Sequence, residues 1–131
     1  MPWWAATYLI AHALLAPVAA MSQWREAIRP RWHALLDLAA AALMIPLASA
    51  AWHPGLLAPI GRLAVLPFVA CVGWEAYSSG CDLANERNDP DLSESANRAA
   101  LHIALLLTAG WLAPLYGLAL YAVVTVWRAA A

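Results

Sequence analysis

The stretch AALHIALLLTAGWLAPLYGLALYAVVTVW, residues 99–127, decides the fold class of this chain. It runs for 29 residues without an Asp, Glu, Lys or Arg. At roughly 1.5 Å per residue a helix of that length extends about 44 Å, which exceeds the roughly 30 Å hydrocarbon core of a bilayer. The stretch therefore predicts a transmembrane helix that tilts, bends near Pro114 or ends in the interface.

Three more stretches are apolar over the length of a membrane span, at about residues 3–21, 32–51 and 56–79. The chain of 131 residues is 64% hydrophobic and 11% charged, whereas soluble proteins average roughly 45–50% and about 25%. Because lipid offers the backbone no hydrogen-bond partner, each span must be helical. The sequence predicts a single all-α integral membrane domain over residues 1–131, with four transmembrane helices in an antiparallel bundle.

The distribution of arginines predicts the orientation of this bundle. The loops after the first and third spans carry five of them: Arg25, Arg29, Arg31, Arg87 and Arg98. The opposite side carries two: Arg62 and Arg128. Since positive charge favours the cytoplasmic side, we expect both termini on the outer side of a bacterial-type inner membrane. The formal net charge of −1 makes nucleic acid an unsuitable partner.

Four ionisable side chains lie near the inner ends of the predicted spans, where each is costly unless it faces protein or water. His33 and Asp37 are four residues apart and share one face of the second helix. Glu75 and His102 fall at a similar depth in the third and fourth helices. Because imidazole and carboxylate groups suit zinc, iron or manganese, these four residues predict a divalent-metal site. The alternative is that they neutralise one another or reach the wet interface.

Two further polar residues lie deeper in the predicted spans. His12 is near the middle of the first span, and Arg62 is inside the outer edge of the third. Acids and histidines within a membrane also serve as proton relays, and Asp37, Glu75 and His12 form a candidate pathway. Two histidines can ligate a b-type haem, although His12 does not match the inner-edge histidines in depth, so haem fits less well.

The cytoplasmic end of the third helix carries a second candidate site. Steps of seven and four residues keep Glu75, Asp82 and Glu86 on one stripe if the helix continues to about Arg87. Carboxylates at the headgroup level can hold magnesium against phosphate oxygens. Arg87 and Arg98 can then neutralise the phosphate. The alternative is that a polar loop between spans carries charge only to remain in water.

These residues resemble a motif of the small prokaryotic diacylglycerol and undecaprenol kinases, E-x-x-N-[ST]-[AG]-x-E-x-x-x-D at the cytoplasmic end of a membrane helix. The resemblance covers about residues 26–110 in layout. It implies that Asp82 is the general base toward a lipid hydroxyl and that Glu75 and Glu86 hold magnesium-ATP. The chain departs from the motif at Ser78, which replaces an asparagine. It also departs from the family's Ala-Lys-Asp start of the last helix, because Arg98 stands where an aspartate is expected.

Three functions are compatible with these patterns. The first is an oligomeric inner-membrane protein whose cytoplasmic acids and histidines contact a divalent metal (Mg or Zn) or a phosphorylated lipid headgroup. The second is a non-catalytic subunit or assembly factor of a larger membrane complex, in which eight tryptophans and abundant alanine serve helix packing. The third is a small transporter or proton pathway. All three have membrane lipid as a partner.

Overall fold

The structure is a computed structural model that describes residues 1–26, 30–87 and 95–129. Over these ranges it contains α-helices and short 3-10 helices and no strand. The α-helices are α1 (Trp3–Glu26), α2 (Arg31–Ser49), α3 (Val65–Arg87) and α4 (Ser95–Ala129). Two 3-10 helices, Pro54–Leu56 and Gly61–Ala64, lie between α2 and α3. The predicted all-α fold is confirmed.

Three segments of the described chain are long and apolar enough to cross a membrane: Trp3–Arg25, Arg31–Ser49 and His102–Ala129. They match the first, second and fourth predicted spans. α3 does not qualify by the same measure, because its second half carries acids, serines and an asparagine. Length and composition therefore indicate a membrane protein, with these three helices as candidate spans.

The third predicted span, residues 56–79, differs from the observed helix at both ends. α3 begins at Val65, because prolines and glycines in residues 54–61 favour turns and 3-10 geometry over a continuous α-helix. Gly61 has a positive φ of 49°, a conformation that glycine adopts without a steric penalty. Arg62 consequently lies in the second 3-10 helix with an exposed side chain, and not inside a span.

The start of α1 and the end of α4 lie at one end of the bundle. The Trp4 and Trp52 rings meet edge to face, with centroids 6.0 Å apart. The guanidinium of Arg62 lies over the Trp127 ring, 5.2 Å from its centroid. Trp52 and Arg62 both lie in the connection between α2 and α3. The start of α1 and the end of α4 therefore lie at the same end of the bundle as this connection. We call this the Trp52 end.

At the opposite end the end of α1 and the start of α2 come together, and Arg31 lies over the Trp24 ring, 5.3 Å from its centroid. We call it the arginine end. α2 is the central helix and packs against each of the other three, whereas α3 and α4 contact each other little. The buried core lies toward the Trp52 end and includes Leu9, Met44 and Leu115. Its position leaves the interior near the arginine end for polar residues.

Candidate functional site

A cavity of about 350 Å³ lies between all four α-helices, and we call it the central cavity. Alanines of α1 and α2 form much of its wall and leave room because their side chains end at Cβ. Its polar lining includes His12, Gln23, Asp37, Glu75, Thr108 and Tyr116. The helices therefore partly enclose a space with both apolar and polar lining, in a chain whose outer surface is largely apolar.

The cavity occupies the half of the bundle nearer the arginine end. Along α1 its lining extends from His12 to Gln23, a distance of about 16 Å. Toward the Trp52 end, the side chains of Met44 and Leu115 are each 1% exposed, and Leu9 lies one turn before His12. We call Leu9, Met44 and Leu115 the apolar plug. The cavity thus ends on the apolar plug within the described part of the bundle.

Asp37 is held in place by a hydrogen bond from α3. Nε1 of Trp74 donates to Oδ1 of Asp37 at 2.6 Å. No pattern in the sequence predicts this contact, because the facing sides of α2 and α3 depend on tertiary packing. Cys71, one turn before Trp74, also donates to the carbonyl of Ala40, with Sγ and O 3.7 Å apart. These two contacts fix the lateral position of α3 against α2.

His33 packs in an aromatic cluster beside Asp37. Its ring centroid lies 4.0 Å from that of Trp32, 5.1 Å from that of Trp74 and 5.9 Å from that of Tyr77. The side chain is buried, and its Nδ1 has no hydrogen-bond partner among the described residues. His33 therefore supports the residue that positions Asp37, and it is not part of the described cavity lining.

Asp37 and Glu75 bring two carboxylates to the same cavity. None of the described lining residues is an arginine. Two acids in a partly desolvated space repel each other when both are ionised. A bound cation or a bound proton relieves this repulsion, so the lining is suited to either one.

His12 lies where the cavity meets the apolar plug. Only 7% of its surface is exposed, and its buried Nδ1 has no hydrogen-bond partner within the described ranges. Its ring stacks on Trp111 with centroids 6.5 Å apart and lies 6.3 Å from Tyr8. The hydroxyl of Tyr8 donates to the backbone carbonyl of Trp111. α1 and α4 thus hold the imidazole in a defined orientation.

Replacing Trp74 by phenylalanine tests the hydrogen bond to Asp37. The phenyl ring keeps most of the packing with His33, but Asp37 loses its indole donor. We expect Trp74→Phe to lower the free energy of unfolding by about 1–3 kcal/mol, as for loss of a hydrogen bond to a charged group. Thermal unfolding in detergent would measure it. Trp32→Phe, at a half-exposed ring of the same cluster, is the control; equal losses in both variants would contradict the assignment.

The four residues predicted to bind a divalent metal do not meet. Asp37 and Glu75 line the cavity, His33 packs in the aromatic cluster and His102 is exposed. His102 is two residues from Ala104, which lines the cavity, and two residues turn a helix by about 200°. Among the described residues, no group of three or more His, Cys, Asp or Glu side chains could hold a metal ion. The predicted metal centre is therefore not assembled.

Of the residues predicted for a kinase-like site, the structure describes the side chain of Glu75, which faces the cavity. α3 does continue to Arg87, so the backbone of Asp82 and Glu86 is helical as the stripe requires. The side chains of Asp82, Glu86, Arg87 and Arg98 lie outside the described residues. The structure therefore leaves the kinase assignment as a prediction.

Comparison with protein-family models, with curated proteins and with solved structures gives no match for this chain. The resemblance to the lipid kinases accordingly stays a prediction as well. Function has to be inferred from the cavity and the side chains that line it.

Proposed function

We propose that this protein carries protons, or a small solute coupled to protons, through the bilayer by way of the central cavity. The observation that supports this best is that Asp37, Glu75 and His12 line one cavity inside a bundle with spanning helices. Ionisable groups within a membrane are costly, and those that face an interior cavity commonly mark an ion or proton pathway. Of the three functions compatible with the sequence, the transporter is the one whose proposed residues all have described side chains.

The proposal includes four membrane spans, with α3 as the additional one, and both termini on the outer side of a bacterial inner membrane. The excess of arginines at the arginine end supports this orientation. The cavity then faces the cytoplasm, and the apolar plug closes it from outside. This arrangement is that of a pathway closed at one end.

Transport requires the apolar plug to open at another stage. Pro46 lies two residues from Met44, and Pro114 precedes Leu115, each inside its helix. Proline removes an intrahelical hydrogen bond and bends the helix, so these positions are suited to hinge movements. In this mechanism Asp37 and Glu75 bind protons from the cytoplasm, and His12 transfers them past the plug when the helices bend.

The other two functions, a lipid-headgroup or kinase-like site and a subunit of a larger complex, stay as alternatives. A lipid-headgroup or kinase-like site would use the arginine end of α3, where only the backbone of the acids is described. A subunit of a larger complex would use the exposed apolar surface, which is also what lipid would cover. Neither alternative explains why an acid pair and a buried histidine line an internal cavity.

His12→Gln tests the role of the imidazole. Glutamine is polar and of similar reach but cannot bind a proton near neutral pH, so we expect a proton flux about 100-fold lower in reconstituted liposomes. A pH-sensitive dye trapped in the liposomes measures this flux under an imposed gradient. The control is His102→Gln, since His102 is exposed and does not belong to the described lining. Equal flux in both variants would remove His12 from the pathway.

A further inference from the structure

A second cavity adjoins the first between α3 and α4. It has a volume of about 450 Å³ and an apolar wall that includes Phe68, Val72 and Leu120. Because α3 and α4 make few contacts with each other, this space is a groove on the side of the bundle that faces lipid. We call it the lateral groove.

The lateral groove and the central cavity share part of their walls. Glu75, Ser79 and Tyr116 line both spaces. A molecule lying across these three residues would have one part among apolar side chains and the other in the polar interior. The geometry therefore suits an amphiphile that enters sideways from the membrane.

The charge of the central cavity selects the kind of head group. Asp37 and Glu75 provide two carboxylates, and the described lining contains no arginine to balance them. His12 lines the same cavity, and its buried Nδ1 has no hydrogen-bond partner among the described residues. An ammonium group matches this lining, since its positive charge and its N–H donors complement the two carboxylates.

We infer that the site binds an amphiphilic amine, with its ammonium head at Asp37 and Glu75 and its hydrocarbon tail in the lateral groove. This inference rests on the proposed function, for which it names the class of solute. The amine can come from two sources, a membrane aminolipid or a free alkylamine, and the head-group chemistry is the same for both. Together the two spaces fall within the size range of small-molecule sites.

Photolabelling of the full chain in lipid nanodiscs tests the inference. The probe is an alkylammonium with a diazirine in its tail, and decylammonium is the competitor. We expect labels on α3 and α4 at the groove residues, prevented by decylammonium but not by decanol. Glu75→Gln should weaken decylammonium binding by about tenfold or more, because it removes one charged partner of the ammonium. Equal competition by decanol, or unchanged binding to Glu75→Gln, would overturn the inference.

Two glycines of α4 provide a matched pair of positions that tests where the hydrocarbon tail binds. A Cβ at Gly117 or at Gly110 would meet no atom within 4 Å, so both positions have room for a side chain. Both glycines are exposed, but Gly117 lines the lateral groove and Gly110 does not belong to its described lining. We expect Gly117→Leu to weaken decylammonium binding several-fold while Gly110→Leu does not. Equal effects of the two substitutions would contradict a tail in the groove.

The lipid composition of the nanodiscs distinguishes the two sources. If the natural occupant is an aminolipid, phosphatidylethanolamine in place of phosphatidylcholine will compete with the probe. If the natural occupant is a free amine, the probe will bind with the same affinity in both lipid compositions. Either result supports an ammonium site. Absent labelling with an intact proton flux would reject the amine while the proposed function stands. Groove labelling without any proton flux would reject the proposed function and leave the amine site.

Discussion

Replacing Asp37 by asparagine is expected to lower proton flux through reconstituted protein by about 100-fold or more, since a positioned proton-transfer group typically contributes at least that much. Asparagine cannot bind a proton at the pH of the assay. In the unsubstituted protein, Nε1 of Trp74 lies 2.6 Å from Oδ1 of Asp37. Asparagine retains a side-chain oxygen that can accept this hydrogen bond. The substitution therefore removes the chemistry and keeps the contact between α2 and α3.

The measurement uses liposomes with a trapped pH-sensitive dye and a potassium gradient that sets the driving force. Asp37→Glu is the matched control, because it restores a titratable group at the same position and should recover part of the flux. Thermal unfolding in detergent verifies that Asp37→Asn keeps its fold. Flux equal to that of the unsubstituted protein would exclude Asp37 from the pathway and, with it, the proposed mechanism.

Glu75→Gln in the same assay separates the contributions of the two acids. If protons pass between both carboxylates, either substitution alone should give nearly the full loss, and the double variant should add little. If only Asp37 carries the proton, Glu75→Gln should keep most of the flux. The first pattern would support a shared site in the cavity that both residues line.

Hydropathy predicted most of the fold because a long apolar stretch can satisfy its backbone in lipid only as a helix. The third span shows the limit of that reasoning. Residues 54–64 are nearly as apolar as a span, yet prolines and glycines place them in turns and 3-10 helices, so α3 begins at Val65. Local backbone chemistry, and not hydropathy, sets where this helix begins.

Residues on different helices were grouped into a candidate site by their depth, and depth does not determine which way a side chain faces. Asp37, Glu75 and His12 line one cavity, and the proton pathway itself stays a prediction. His102 was grouped with Asp37 and Glu75 in the predicted metal site because of its depth, but it lies on the exposed side of α4. The rotation of each helix about its axis comes from packing, such as the indole of Trp74 against Asp37. No single-sequence pattern contains that information.

The proposed four-span topology makes a sharp prediction for cysteine labelling, because the two ends of α3 should then lie on opposite sides of the membrane. Cys81 lies in the last two turns of α3 and is partly exposed, whereas His53 is exposed at the Trp52 end. An impermeant maleimide added outside intact cells should label His53→Cys, built on Cys81→Ser, nearly completely. It should label Cys81 of the unsubstituted chain only after permeabilisation.

Cys71 provides an internal control, since it is 2% exposed and should stay unlabelled under both conditions. Labelling of His53→Cys and Cys81 from the same side would mean that α3 enters and leaves by one face of the membrane. Glu75 would then sit on a re-entrant helix, and the apolar plug would no longer separate two aqueous compartments. Opposite labelling would instead place Glu75 between the two sides, with its carboxylate in the cavity that Asp37 and His12 line, as transport through this cavity requires.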